Sequence, residues 1–365
     1  MPSRENRSFD ALRHDSRGTV SMVVHGLSGF ALACVGFGIG VVIIDFLDSP
    51  DLSGVAQQKL SHFLARKDAY NVAFVGNSHV YRQLDPVHFD ATTASRGYST
   101  RSYNLGVPAH TFFEISYQLQ QIVEQNPSTL EWVILDVTFP WSIDQFNLGT
   151  QRFVAWHDVA QTVAALEYTF ASNRVGTNAD LINDKIRWSN RHLEAFFTRT
   201  TRRGRGFAIV EALKRPRHPA PRSNPSLGNG YVALEDSPSD AHRRGDFLEF
   251  VEGFEERVRA GTFPEVLAMT RYESSLVQSL VDTLEARGLR VMLICGPVVG
   301  SVELFRPVSQ SPGVHGPYVY DSVRFPRLFG SDRRFDRGHL NRLGAREYTG
   351  DVAADFIELL DADER

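Results

Sequence analysis

A serine stands where a short apolar run gives way to a helical pattern. Residues 72–75 are typical of a buried strand, Gly76 and Asn77 interrupt it, and the residues from Ser78 onward can begin a helix. In open α/β sheets, ligands bind at the carboxyl ends of the strands, and N–H groups at the start of a helix can stabilise an anion. Ser78 is therefore the candidate nucleophile.

A serine hydroxyl is too weakly acidic to attack alone, so it needs a base and a group that orients the base. Asp336 precedes His339 by three residues on a glycine-containing turn, just before a helical pattern at 343–361. This spacing lets the carboxylate accept a hydrogen bond from the imidazole Nδ1–H and leaves Nε2 to face a serine. We expect the fold to bring Ser78, His339 and Asp336 together as a catalytic triad.

Three blocks of the sequence resemble those of one enzyme family. In order along the chain they carry Ser78, then Asn104-Leu-Gly106, then Asp336 with His339. The chain resembles the SGNH (GDSL-type) hydrolases, and its layout is similar to that of the membrane-anchored periplasmic members that O-acetylate bacterial polysaccharides such as alginate. The resemblance covers about residues 70–140 and 270–362.

The resemblance also implies where a tetrahedral oxyanion would bind. In this family the glycine of the second block, here Gly106, contributes a backbone N–H together with that of the serine, Ser78. The third block normally adds an asparagine, but residues 136–141 contain none. The remaining donor is therefore Asn77, Asn104 or a further backbone N–H.

The order of the elements predicts the fold class. Apolar strand patterns at 72–75, 131–138 and 290–296 alternate with helical patterns at 111–125, 264–287 and 343–361. Strands separated by crossover helices pair in parallel with right-handed connections. We expect an α/β protein, a flavodoxin-like three-layer sandwich with a mainly parallel sheet, in which residues 298–334 form a loop.

The family pattern is lost in an insertion at about 145–262. Helices are predicted at 154–170 and 178–198, followed by basic stretches at 199–205 and 214–217. The insertion either builds one wall of a substrate groove or is a solvated loop. Its basic residues could bind an anionic polysaccharide or lipid headgroups, but charge runs are more often solvated surfaces, and we favour that interpretation.

Some polar and aromatic residues near the blocks are candidate substrate contacts. Arg82 could bind an anionic group, although an ion pair with Asp85 is the interpretation that we favour. His110 is a candidate pocket residue, and Trp141 could either stack on a sugar ring or cap the core. His79 is expected to be packed rather than catalytic.

The N-terminal region predicts a membrane anchor. No charged residue occurs from 19 to 44, arginines precede this run, and aspartates follow it. We therefore expect an inner-membrane protein with its catalytic domain in the periplasm; a cleaved signal peptide is the alternative. The predicted order is a cytoplasmic N-terminus (1–18), a transmembrane helix (19–47), a stalk or first helix (48–69) and the catalytic domain (70–365).

Composition excludes some classes of function. The net charge of -4 gives no indication of nucleic-acid binding, and the two cysteines, Cys34 and Cys295, provide no metal-ligand spacing. No cofactor or metal is expected. The resemblance favours O-acetyl transfer to a cell-surface or exopolysaccharide acceptor, with the acyl donor supplied by a membrane acyl-exporting partner. The alternatives are a carbohydrate or lipid esterase with the same triad, and a non-catalytic polysaccharide-binding scaffold.

Overall fold

The computed structural model describes residues 36, 54–138, 150–172, 181–201, 228–237, 240–261, 270–297 and 314–363. Most of these belong to one compact unit formed by 51–196 and 219–365; Gly36 and residues 197–201 belong to a second unit. Within the described part of the chain, no helix is long and apolar enough to span a bilayer. The transmembrane segment predicted at 19–47 lies outside the described residues, apart from Gly36.

A five-stranded parallel sheet forms the centre of the described part of the larger unit. Its strands are β1 (Val72–Val75), β2 (Ser102–Asn104), β3 (Trp132–Asp136), β4 (Arg290–Cys295) and β5 (Val314–Val319). Neighbouring strands pair in the order β2-β1-β3-β4-β5, and every pair is parallel. This is the order of flavodoxin-like doubly wound sheets.

Helices connect the strands. In chain order the described helices are α1 (Gly54–Leu64), α2 (Ser78–Gln83), α3 (Pro86–Ala94), α4 (Phe112–Glu124), α5 (Gln151–Ala155), α6 (Val159–Ala171), α7 (Leu181–Thr201), α8 (Ala241–Glu249), α9 (Val251–Ala260), α10 (Arg271–Glu285) and α11 (Arg342–Asp363). Short 3-10 turns occur at Lys67–Ala69, Leu234–Asp236 and Pro326–Phe329.

The central strands β1, β3 and β4 are mainly apolar on both faces, and helices cover both faces of the sheet. Alternate residues of β1, β3 and β4 point to opposite sides. On one side Val75, Leu135 and Leu293 pack in a core that includes residues of α1, α4, α6 and α10. On the other, Phe74 and Ile134 pack in a second core with residues of α2, α3 and α11. The prediction of an α/β protein with a parallel sheet is confirmed, and the layering is that of a three-layer sandwich.

The sequence interpretation missed several elements. The stretch 298–334 was expected to be a loop, but residues 314–319 form β5 at the edge of the sheet. Its sequence contains Gly316 and Pro317, which are rare in strands and tolerated at an edge, so no strand pattern was visible. The insertion holds α8 and α9 in addition to α6 and α7, so much of it is regular structure.

Candidate active site

Ser78 lies where the strand order reverses. The chain passes from β1 to β2 on one side and then to β3 on the other, which opens a crevice at the carboxyl end of β1. Asn77 caps α2, its side chain accepting from the His79 N–H at 2.8 Å. A Cβ on Gly76 would lie 2.5 Å from Val80 Cγ2 and 2.9 Å from Asp136 Cβ, so only glycine allows this tight turn.

The turn that carries Asp336 and His339 is fixed by its own hydrogen bonds. Asp336 Oδ1 accepts from the Gly338 N–H at 2.7 Å and from the His339 N–H at 2.8 Å. Beneath the turn lies the fully buried Arg334, whose guanidinium donates to the backbone carbonyls of Asp336, Arg337 and Pro297. The carboxylate and the imidazole are thus held on a rigid loop before α11.

The structure brings Ser78, His339 and Asp336 together. His339 Nε2 lies 2.9 Å from Ser78 Oγ, and Nδ1 lies 3.0 Å from Asp336 Oδ1. Because ionised Asp336 can only accept hydrogen bonds, Nδ1 carries the proton and Nε2 accepts from the serine hydroxyl. Ser78 and His339, 261 positions apart in the chain, are therefore joined with Asp336 in one continuous hydrogen-bonded chain.

Arg243, on α8, also reaches the triad. Its Nη2 donates to Asp336 Oδ2 and lies 3.0 Å from His339 Nδ1. Burial of the Asp336 carboxyl raises its pKa, but the hydrogen bond and charge of His339 and the charge of Arg243 outweigh this effect and hold the pKa at about 2. Asp336 is therefore ionised throughout the physiological pH range. The sequence interpretation missed Arg243 because it lies in the insertion, where no motif was visible.

Arg82 pairs with the insertion and not with Asp85. Its guanidinium contacts Asp240 Oδ2 at 3.4 Å and the carbonyl of Val232 at 3.3 Å. Asp240 in turn contacts Arg243 Nη1 at 3.1 Å. Asp85 instead caps α3 by accepting from the Val87 N–H, so the favoured pairing of Arg82 with Asp85 was wrong.

Gly106 and Asn104 bind each other and the neighbouring elements. The Gly106 N–H donates to Asn104 Oδ1 at 2.9 Å, and the Asn104 amide donates to the carbonyls of Val80 and Leu84. A Cβ on Gly106 would lie 2.5 Å from the backbone nitrogen of Tyr81, so the glycine allows β2 and α2 to pack closely. Both predicted donors thus bind within the protein and fix α2.

A buried lysine completes this arrangement. Lys59 Nζ donates to the Gly106 carbonyl at 2.5 Å and to Asn104 Oδ1 at 3.1 Å, and it lies 4.3 Å from the centre of the Tyr81 ring. Burial, together with the nearby charge of Arg82, lowers the pKa of Lys59 well below its ordinary value. The helix that was predicted as a stalk therefore packs directly against the turn that carries Gly106.

Two of the predicted oxyanion donors have N–H groups without an acceptor among the described residues. The backbone N–H of Ser78 makes no hydrogen bond in that part of the chain. One N–H of the Asn77 amide donates to the Thr138 carbonyl at 3.1 Å, and the other has no acceptor there. Ser78 and Asn77 thus retain donors beside the Ser78 hydroxyl, whereas Gly106 and Asn104 do not.

A second histidine lies beside His339. The rings of His79 and His339 are 5.6 Å apart, and His79 Nδ1 lies 2.9 Å from Thr138 Oγ1, which is 2.8 Å from both carboxyl oxygens of Asp136. Burial, followed by the charge of His339, lowers the pKa of His79 to about 3. Burial raises the pKa of Asp136 to about 6, against its hydrogen bonds to Thr138 and Gly296. The end of β3 therefore supplies a carboxyl group, on Asp136, and a hydroxyl group, on Thr138, that hold His79 in place.

The remaining candidates lie elsewhere. His110 is completely buried, and burial lowers its pKa well below the ordinary value, so its ring is a neutral packed side chain that does not face an open pocket. Trp141 lies outside the described residues. Within the residues described, no cluster of three or more side chains could hold a metal ion.

Comparison with models of protein families and with curated proteins gives no match to this chain. Function is therefore inferred from the geometry of the site.

Proposed function

We propose that this protein is a serine-dependent O-acyltransferase of the SGNH type, which transfers an acyl group, most simply acetyl, to a hydroxyl of a polysaccharide. The observation that carries the proposal is the unbroken chain from Ser78 Oγ through His339 to Asp336, at 2.9 and 3.0 Å. A hydroxyl, an imidazole and an ionised carboxylate in this order form the general machinery of acyl transfer.

The first half-reaction forms an acyl-enzyme. His339 Nε2 takes the proton of Ser78 Oγ as that oxygen attacks the donor carbonyl, and Asp336 stabilises the resulting imidazolium. The proton on Nε2 then passes to the leaving group as the carbon–leaving-group bond breaks. The negatively charged oxygen of the tetrahedral intermediate binds the Ser78 N–H and the second N–H of the Asn77 amide, which have no acceptor among the described residues.

The second half-reaction distinguishes transfer from hydrolysis. A sugar hydroxyl gives its proton to His339 Nε2 and attacks the acyl carbon, and Ser78 Oγ leaves and recovers the proton. Water could follow the same path, which would make the protein an esterase with the same residues. The resemblance of the chain's layout to that of membrane-anchored periplasmic O-acetyltransferases favours transfer. The acceptor is then a polysaccharide, and a membrane acyl-exporting partner supplies the donor.

The membrane anchor is part of this proposal. The charge-free run from 19 to 44, with arginines before it and aspartates after it, supports a single inner-membrane span with the catalytic domain in the periplasm. A protein placed there meets polysaccharide acceptors outside the cytoplasm.

Covalent labelling tests the chemistry directly. The purified protein is incubated with p-nitrophenyl acetate, quenched in acid and digested, and the peptide that contains Ser78 is examined by mass spectrometry. We expect an added acetyl group on Ser78 in the wild type and none in Ser78→Ala. An unmodified Ser78 in folded wild-type protein, over a range of ester concentrations and quench times, would exclude the acyl-enzyme. Adding a polysaccharide and following acetate and acetylated sugar separates esterase from transferase.

A further inference from the structure

A cleft lies beside the turn that carries Asp336 and His339. It encloses about 600 Å³ at the corner between α8 and α9, a size within the range of small-ligand sites. The residues that line it include Leu248, Glu249, Phe250, Glu252, Arg257 and Arg337. None of them takes part in the triad.

The corner itself is held by other residues. Phe247 and Phe254 are buried, with their rings edge to face at 5.3 Å, and the guanidinium of Arg334 lies 5.8 Å from the centre of the Phe254 ring. Phe250, between them in sequence, is 58% exposed, and Leu248 is 49% exposed. The fold therefore does not need these two apolar side chains for its core, and both line the concave surface.

The charged residues of the cleft are mixed in sign. The Arg337 guanidinium lies 5.8 Å from the centre of the Phe250 ring, so a donor group stands over an aromatic face. Glu249 and Glu252 add acceptors, and Arg257 adds a second positive charge. Two positive and two negative side chains leave no net charge, which is unfavourable for a polyanion and suitable for a ring with hydroxyl groups that both donate and accept.

The cleft adjoins the turn that carries Asp336 and His339, because Arg337 belongs to both. Arg337 follows Asp336 directly, and two residues of extended chain place its Cα at most roughly 7 Å from that of His339. The helix α8, which leads into the corner, also carries Arg243, whose guanidinium binds Asp336. The corner is thus attached to the triad on two sides.

We propose that this cleft is the acceptor subsite and that it binds uncharged hexose rings of a polysaccharide chain. The apolar face of a pyranose packs on Phe250, and its hydroxyls bond to Arg337 and the glutamates. A hydroxyl of the neighbouring ring then loses its proton to His339 Nε2 as its oxygen forms a bond to the acyl carbon, and the bond to Ser78 Oγ breaks as that oxygen takes the proton. This inference rests on the proposed function, of which it specifies the substrate class.

Acceptor kinetics on the full chain test the inference. The purified protein in detergent receives p-nitrophenyl acetate as donor and either cellohexaose, a neutral hexasaccharide, or an oligouronate of the same length. We expect acetylated cellohexaose to form at lower acceptor concentrations than the acetylated uronate. Phe250→Ala should raise the half-saturating cellohexaose concentration about tenfold, because the aromatic face is lost. Arg337→Ala is the second variant and should raise it severalfold.

Phe170→Ala is the matched control, because Phe170 on α6 is 59% exposed and does not line the cleft. It should leave the acceptor dependence unchanged. The fraction of Ser78 that carries an acetyl group is measured in every variant, and each rate of acceptor acetylation is divided by that fraction. Absence of labelling in the wild type would overturn the proposed function itself. Normal labelling combined with an unchanged acceptor dependence in Phe250→Ala and Arg337→Ala, or with a preference for the uronate, would overturn only the acceptor subsite. Normal labelling with release of acetate and no acetylated sugar from either acceptor would overturn the subsite and make the protein an esterase.

Discussion

Replacing Asp336 by asparagine removes one charge and almost no volume. The carboxylate accepts from the Gly338 and His339 N–H groups, from His339 Nδ1–H and from Arg243. An asparagine oxygen can replace one carboxylate oxygen, but its NH2 group then faces another donor, Arg243 or His339. Asp336→Asn therefore disturbs the tautomer of His339 and removes one of the two carboxylates that Arg243 contacts, so that only Asp240 remains.

The magnitudes follow from the folded-state pKa. A carboxyl group whose pKa falls from 3.8 to about 2 on folding contributes about 2 kcal/mol to the free energy of unfolding at pH 7. Because the pKa is lowered by folding, this contribution is present above pH 4 and is lost as the pH falls from about 4 to about 2; roughly half remains at pH 3. For activity, replacing the carboxylate of such a triad by an amide costs on the order of 10³ to 10⁴ in kcat.

Two measurements check this prediction. The first is kcat for p-nitrophenyl acetate at pH 7, which should fall by that factor in Asp336→Asn. The second is the free energy of unfolding by urea at pH 7 and pH 3: the variant should be less stable by about 2 kcal/mol at pH 7, and the difference should shrink by about half at pH 3. A stability difference that is the same at both pH values would refute the electrostatic reasoning, and a kcat within tenfold of wild type would refute the assigned role of Asp336.

Three further substitutions test the supports of the site. Arg243→Gln should lower kcat several-fold and unfolding stability by about 1 kcal/mol, whereas Arg243→Lys keeps a charge and should lose less, as measured by ester hydrolysis and urea unfolding. Gly106→Ala should lower the free energy of unfolding by about 2 kcal/mol or more, because the added Cβ would lie 2.5 Å from the Tyr81 backbone nitrogen. The control Gly245→Ala, with open space around it on α8, should not destabilise the protein. Thermal unfolding compares the two variants. Because folding lowers the pKa of Lys59, the folded protein binds fewer protons at this residue than the unfolded chain does. The free energy of unfolding of the wild type should therefore rise between pH 7 and pH 10 relative to that of Lys59→Met. Urea midpoints of the two proteins that change in parallel with pH would contradict this.

Structural features that depend on residues close together in the chain could be predicted from the sequence. Asp336 and His339 are three residues apart on one turn, and Ser78 follows an apolar strand. Residue types and short spacings were therefore sufficient to predict the local structure around each of these residues. The period of the apolar residues likewise predicted β1, β3, β4 and the parallel sheet. These inferences required no knowledge of which distant segments meet beyond the general rule for strand edges.

Contacts between segments that are far apart in the chain could not be predicted from the sequence. Arg82 and Asp240 are 158 positions apart, and Arg243 and Asp336 are 93 apart, in a region without a recognisable pattern. The hydrogen bond from the Gly106 N–H to Asn104, which occupies the predicted oxyanion donor, is a different case. An asparagine often accepts from the N–H two residues later, as Asn104 does in this protein, so the sequence contained a signal against a free donor at Gly106.

The insertion has a larger part in the proposed reaction than its lack of motifs indicated. The triad residues serve water and a sugar equally well, so they cannot set the ratio of transfer to hydrolysis. Because water is far more concentrated than any acceptor, transfer requires a surface that holds a hydroxyl beside the acyl carbon and so raises its effective concentration. An element attached rigidly to the triad can provide such a surface. In the described part of the chain, α8 meets that condition, since Arg243 joins it to Asp336 and, through Asp240, to Arg82 on the helix that begins with the nucleophile.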